Sequence, residues 1–244
     1  MDSRWLRHFG VYTMFVKLFV LGMPGSGKSS VIRYLESVAS HQQWSAIHIN
    51  DYEILREMFS QDVQQCGLGR RFARAKHGGF NVLDLAAFDE ALRELERRAE
   101  GVIAQSELAS ATGIALIEFS RSDYRRAFQQ FHPQFLQNAS FLYLNADVEQ
   151  CKQRIAQRII NPCFKDDYYV SDYVFEKYYK YSDGEHLAEI LQEEYCLDRR
   201  HVLMIENNAS LAEAAPKIFA FAQDIFSNFQ QETGISQPEG QTCP

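Results

Sequence analysis

The chain has 244 residues, 46% of them hydrophobic, which suits one large domain or a core domain with a small insert. A formal net charge of −7 argues against a general nucleic-acid coat protein, though it leaves room for a local basic cleft. Five widely spaced cysteines (Cys66, Cys151, Cys163, Cys196 and Cys243) with no CxxC pairing argue against a disulfide framework or a zinc site and fit a cytoplasmic protein, and no apolar run approaches membrane-spanning length.

Residues 1–13 precede Met14 and read as an N-terminal extension without the apolar core of a signal peptide. Val16-Lys17-Leu18-Phe19-Val20-Leu21 predicts a first strand. It feeds directly into Gly22-Met23-Pro24-Gly25-Ser26-Gly27-Lys28-Ser29, and a helical pattern, Val31, Ile32, Leu35 and Val38, follows. This is GxxxxGK[ST] between a strand and a helix, the context that the motif requires. Glycines let the backbone curl so that successive N–H groups face phosphate oxygens, and the helix N-terminus adds positive charge. The expected nucleotide-binding residues are Gly22, Pro24, Gly25, Ser26, Gly27, Lys28, Ser29 and Ser30, with Lys28 on the terminal phosphates and Ser29 on magnesium.

Ser45 to Asn50 predicts a second strand ending at Asp51, and a helical pattern then covers 52–59. Cys66 to Phe80 is glycine-rich and carries Arg70, Arg71, Arg74, Lys76 and His77. It reads as a mobile basic loop or short helix, open to two roles: an anion site or a solvated surface. Leu85, Phe88, Leu92, Leu95, Ala99 and Val102 recur at the spacing of a long amphipathic helix. Gly113 to Phe119 is a continuous apolar run interrupted only by Glu118, as expected of a parallel strand buried on both faces. Phe141 to Leu144 predicts a fourth strand, Asp147 a cap for the next helix, and His201 to Ile205 a fifth strand. Residues 161–184 are crowded with Tyr and Asp, a helix covers roughly 185–195, and Ser210-Leu211-Ala212-Glu213 reads as a capping box for the last helix. Residues 231–244 read as a polar disordered tail.

Five strands separated by helices predict an α/β chain with a doubly wound parallel sheet, and ligands in such sheets bind at the carboxyl ends of the strands. Gly22–Ser29, Asp51, Glu118–Arg121, Asn145 and Glu206–Asn208 are therefore expected to converge on one cleft.

Over about residues 15–227, this order of elements resembles the P-loop nucleoside and nucleotide kinase superfamily. The resemblance implies a P-loop NTPase fold in residues 14–230: a five-stranded parallel sheet, helices on both faces and a lid insert at about 160–184. It also implies ATP as donor and magnesium as cofactor. Asn50-Asp51-Tyr52 looks like the element of polynucleotide kinase and related small phosphotransferases in which the acid accepts the proton of the attacking hydroxyl. Arg56 would then contact the acceptor, one or two places later than the matching arginine. A plain helix cap is the other reading of Asp51. Glu118 resembles the Walker-B acid and would hold magnesium with Ser29. Glu118-Phe119-Ser120-Arg121 is similar to, but one residue shorter than, the Asp-Gly-Phe-Pro-Arg element of nucleoside monophosphate kinases, which implies substrate binding by Arg121. Arg154 and Arg158, four apart on one helix face, resemble the pair that neutralises charge on the transferring phosphate. Asn207 and Asn208 resemble the loop bordering the nucleotide base.

The lid departs from the pattern. It lacks the usual arginines and carries Asp166, Asp167, Asp172 and several tyrosines, read first as packing residues. Its acidity argues against long nucleic acid as acceptor. The expected function is an ATP-dependent phosphotransferase acting on a hydroxyl or phosphate of a small molecule, with Lys28, Asp51, Arg154 and Arg158 as catalytic residues. The alternatives are a nucleotide-binding regulatory ATPase and a polynucleotide 5′-kinase. The missing Asn-Lys-x-Asp motif disfavours a guanine switch.

Overall fold

Strand β1 (Phe15–Gly22) is the centre of the sheet because its side chains are buried on both faces, alternating between two separate cores. The computed structural model describes residues 15–65, 69–108, 112–161, 169–170, 172–208 and 210–233. β1 pairs in parallel with β5 (Gly113–Phe119) on one side and β6 (Ala139–Asn145) on the other. β2 (Ser45–Asn50) lies outside β5, and β7 (Val202–Glu206) lies outside β6. The order is thus β2-β5-β1-β6-β7, all parallel.

Period-two alternation assigns the faces. Phe19, Leu21, Ile117, Phe119, Phe141 and Tyr143 point to the core shared with α2 (Asp51–Gln64), α3 (Ala86–Leu108), α4 (Tyr124–Phe128), α5 (Pro133–Leu136) and α8 (Leu187–Tyr195). Leu18, Val20, Ile114, Leu116, Leu142 and Leu144 point to the core shared with α1 (Lys28–His41) and α9 (Leu211–Thr233). The first core is aromatic: Phe19 stacks on Phe141 with ring centroids 5.0 Å apart and meets Phe119, Phe128, Phe131 and Phe135 edge-on. Such pairs add about 0.5–1.5 kcal/mol each beyond area burial. The arrangement is an α/β fold with helices on both faces of a five-stranded parallel sheet, as expected.

The strands fall within two residues of their expected bounds, but three segments differ. The helix after Asp51 runs to Gln64, past 59. The described part of the basic stretch forms an antiparallel hairpin, β3 (Phe72–Arg74) with β4 (Phe80–Val82), and the expected short helix is only a 3-10 turn at Lys76–Gly78 between the two strands. Each strand is only three residues long, too short for periodicity to register. Helix α9 continues to Thr233, so the start of the expected tail is helical. The N-terminal extension lies outside the described residues, as do 162–168 and 171 of the lid and 234–244 of the tail. What is described between β6 and α8 comprises α6 (Val148–Ile160), α7 (Asp172–Lys177) and the segment after it, which packs over the sheet's carboxyl edge through Phe175 and Tyr179. Among the described residues, no helix is long and apolar enough to cross a membrane.

Candidate active site

The loop after β1 turns immediately. The Ser26 amide donates to the Met23 carbonyl at 3.1 Å, and Gly27, at φ 103°, caps α1 from the left-handed region. Gly25 and Gly27 each require glycine. At Gly25, φ +82°, a Cβ would lie 2.5 Å from the Cys151 carbonyl oxygen, because the first turn of α6 backs directly onto the loop. At Gly27 a Cβ would lie 2.5 Å from Asn207 Nδ2. That amide donates to the Ser26 carbonyl at 2.6 Å. The Arg154 guanidinium donates to the Asn207 carbonyl at 2.8 Å and more weakly to the Gly25 and Ser26 carbonyls. Tyr124 Oη accepts from the Gly22 amide at 2.9 Å. The loop's carbonyls are thus gripped from outside by residues beyond β7 and on α6, and its first amide by α4, a device that fixes its curvature.

Lys28, 4% exposed, donates from Nζ to the Gly22 and Met23 carbonyls at 3.0 and 2.9 Å and lies 3.9 Å from Glu118. Burial lowers its pKa from the ordinary lysine value, while Glu118 and Asp51 oppose that shift. Ser26 Oγ is fully buried with no hydrogen-bond partner among the described residues. Ser29 is half-buried, whereas Ser30 is exposed and accepts from Arg33.

The acids stand on the neighbouring strand ends. Asn50, not Asp51, caps α2: its side chain accepts from the Glu53 amide at 2.9 Å. The cap reading of Asp51 therefore falls. As the first helical residue it turns inward, 6% exposed, and its Oδ2 forms an ion pair with Arg121. Burial raises the Asp51 pKa above the ordinary carboxylate value, and Arg121 offsets this only in part. Arg121 is fixed further by the Ser120 and Phe88 carbonyls at 2.7 and 3.0 Å and lies over the Phe88 ring at 4.6 Å. Glu118 sits beside Asn50 in register and accepts from His48 Nε2 at 3.0 Å. Burial works against the His48 imidazolium, but the Glu118 hydrogen bond and charge outweigh it and hold the pKa above the ordinary value.

Beside Asp51 and Arg121 opens a cavity of about 360 Å³. Pro24 of the loop and Ser120 border it, and the rest of its wall is apolar or aromatic: Tyr52 and Leu55 from α2, Phe80 and Val82 from β4, Phe88 from α3, and Tyr169, Val170, Val174, Tyr178 and Tyr179 from the lid segment. Tyr52 stacks on Phe80 at 5.5 Å, and Phe88 packs on Tyr178 at 4.8 Å.

The fold thus brings the loop, Asp51, Glu118 and Arg121 together. Arg158 is half-buried on α6, close enough for its charge to depress the Lys28 ammonium. Arg154 faces the back of the loop, and Asn207 points into the loop rather than outward toward a base. Asn208 accepts from the Asp147 amide, and Asn145 donates to Glu206 at the exposed edge. Asp147 itself makes no side-chain cap. Arg56 is exposed on α2 and does not line the cavity, nor do Arg70, Arg71, Arg74 or Lys76. Sequence reasoning missed His48, Tyr124 and the aromatic wall; none belongs to a motif, and only the fold brings them to the cleft.

The donor set suits magnesium, a hard cation that takes oxygen ligands: the Ser29 hydroxyl and Glu118 carboxylate are both oxygen donors at the carboxyl edge. Among the described residues no cluster of three or more His, Cys, Asp or Glu side chains forms a metal cage. Magnesium rarely uses one, since substrate phosphates and water complete its shell.

No family model and no curated protein matches the chain. Among solved structures it is similar to shikimate kinase from Acinetobacter baumannii in complex with shikimate, at 17% identity and TM-score 0.42, covering 89% of this chain and 96% of that one. It is similar to an unliganded sugar kinase from a Janibacter species at 13% identity and TM-score 0.45, covering 88% and 98%. It is also similar to the Mycobacterium tuberculosis APS kinase in complex with AMPPNP and APS, at 16% identity and TM-score 0.45, covering 85% and 97%.

Proposed function

We propose that the protein is an ATP-dependent phosphotransferase that moves the γ-phosphate to a hydroxyl of a small molecule. One observation carries the reading: a buried carboxylate, Asp51, lines a cavity bordered by the phosphate loop itself, through Pro24. A hydrolase needs only a water beside the loop; a separate walled cavity gives a second substrate somewhere to bind. The hydroxyl oxygen attacks the γ-phosphorus, the bond to the β–γ bridging oxygen breaks, ADP leaves, and the hydroxyl proton passes to Asp51. A carboxylate with a raised pKa is the better proton acceptor, and Arg121, engaging only Oδ2, holds it in orientation. The loop amides and Lys28 bind the donor phosphates, and Arg158 neutralises charge on the transferring group. Ser29 and Glu118 would hold magnesium, which supplies neutralising charge to the phosphates when bound. Arg154 acts one step back, by holding the loop carbonyls so that the amides face inward.

The test is incubation with ATP labelled at the γ-phosphate and a panel of small hydroxylated compounds. The expected result is label in an organic product that disappears in Lys28→Ala. Label recovered only as inorganic phosphate across the panel would favour the regulatory ATPase instead.

A further inference from the structure

The acceptor cavity has a chemical character that the loop and acids do not determine. Its volume of about 360 Å³ lies near the lower end of the range for small-molecule sites, roughly 300–1,000 Å³, so it takes a single compact molecule rather than a polymer end. Among the described residues, Asp51 and Arg121 are the only charged groups in its wall, and they neutralise each other. Among the described wall residues, a carboxylate or phosphate on the acceptor would find no cation besides Arg121, which Asp51 already engages, and burying an unpaired charge is costly. The described wall also has no Asn, Gln or Glu to read the edge of a nucleobase or to match the many hydroxyls of a sugar. Its uncharged polar groups are the hydroxyls of Ser120 and of the tyrosines, and the Ser120 carbonyl already accepts from Tyr179 Oη at 3.2 Å and from Arg121 at 2.7 Å. What the wall does supply is flat apolar surface from separate elements: Tyr52 with Phe80, and Phe88 with Tyr178. Rings of this kind favour another ring, stacked or edge-on.

We infer that the acceptor is an uncharged aromatic alcohol: an apolar body of one or two rings held by Tyr52, Phe80, Phe88 and Tyr178, with its single hydroxyl delivered to Asp51. This rests on the phosphotransferase reading for the fate of the hydroxyl, but not for the binding itself. The lid tyrosines then serve recognition rather than packing alone, and the ion pair at one end of the cavity sets which end of the ligand faces the donor.

Binding is measured first without ATP, by saturation-transfer NMR on the full chain. The probes are cinnamyl alcohol, phenethyl alcohol and 2-naphthalenemethanol, compared with adenosine, glucose, shikimate and AMP. The aromatic alcohols are expected to bind in preference. Tyr178→Ala should weaken them about tenfold and Tyr178→Phe should leave them unchanged, because the ring and not the hydroxyl makes the contact. Circular dichroism confirms that both variants remain folded. Preferential binding of adenosine, glucose, shikimate or AMP, or aromatic-alcohol binding indifferent to Tyr178→Ala, overturns the inference. The same compounds are then offered with labelled ATP. Label passing to a polar or anionic acceptor instead sinks the acceptor class while phosphotransfer stands. Tyr178-dependent binding of aromatic alcohols with no label transferred leaves them standing as the ligand class of the cavity and sinks phosphotransfer.

Discussion

The two halves of the cleft are built on opposite plans. On the proposed reading the donor half is made of backbone: the consecutive residues from Gly22 to Ser30 would present amides to phosphate, and the side chains around them, Asn207, Arg154 and Tyr124, hold the loop. The proposed acceptor half is lined largely by side chains drawn from α2, β4, α3 and the lid segment. Phosphate is the same in every nucleotide and is bound by N–H directions that one local turn can supply. A compact organic molecule is bound by shape, which needs walls from several directions. Keeping the first and varying the second is how one fold serves many acceptors.

The hinge between the halves is Asp51, and its removal is expected to have the largest effect. Asp51→Asn keeps the size and helix position but cannot accept a proton, so kcat/KM should fall by about 10²–10⁴-fold with ATP binding intact. The wild-type pH profile sharpens the test. Because the Asp51 pKa is raised by burial, activity should fall on acidification through a value above the ordinary 3.8, as the carboxylate takes up its proton. The Asn variant should lose that acid limb. Retention of the limb in the variant would assign it to another group.

Next in size is a change confined to the donor half. Gly25→Ala places a Cβ against the Cys151 carbonyl at a left-handed φ, and α6 must shift to accept it. The expected cost is about 2–4 kcal/mol in urea unfolding, together with lost ATP affinity. Aromatic-alcohol binding, on the other wall, should survive. If both sites weaken equally, the two halves are one mechanical unit and not independent.

The same contrast sets how much of the molecule is legible in its sequence. The loop is legible because its chemistry requires contiguous residues, and the three central strands because burial on both faces leaves long apolar runs such as Gly113–Phe119, broken only by Glu118. Asp51 is legible in position but ambiguous in role, since a residue at a strand-to-helix junction can cap or turn inward; the Asn50 cap resolves it. The acceptor wall is not legible. Tyr52 and Phe88 are indistinguishable in sequence from ordinary core residues of amphipathic helices, and Phe80 lies on a strand of three residues whose pairing defines it. Arg154 illustrates a subtler failure: the spacing Arg154–Arg158 assigns both to one helix face, yet only one turn separates a residue beside the loop's back from one near Lys28.

The smallest expected effect concerns how the acceptor wall is held. Helices α2 and α3, which carry Tyr52 and Phe88, are bridged at the surface by Arg98, which donates to Glu57 of α2 and Glu94 of α3 at 2.6 and 2.8 Å. Hydrogen bonds from Arg97 and Arg98 hold Glu94 at a pKa of about 2, with partial burial opposing them. A carboxylate whose folded pKa is depressed contributes stability above its unfolded value near 4.5, and that stability is lost as the pH falls toward 2. The network is solvent-exposed, so screening keeps its worth below about 1 kcal/mol. Glu94→Gln should therefore lower stability by less than that at neutral pH and by progressively less as acid removes the wild-type advantage, as measured by urea unfolding at pH 7 and pH 3. A larger loss, accompanied by weaker aromatic-alcohol binding, would mean that this surface bridge sets the spacing of the cavity walls; an unchanged cavity would assign that spacing to the buried contacts of Ile54, Leu55, Leu92 and Leu95, which already join the two helices to the sheet.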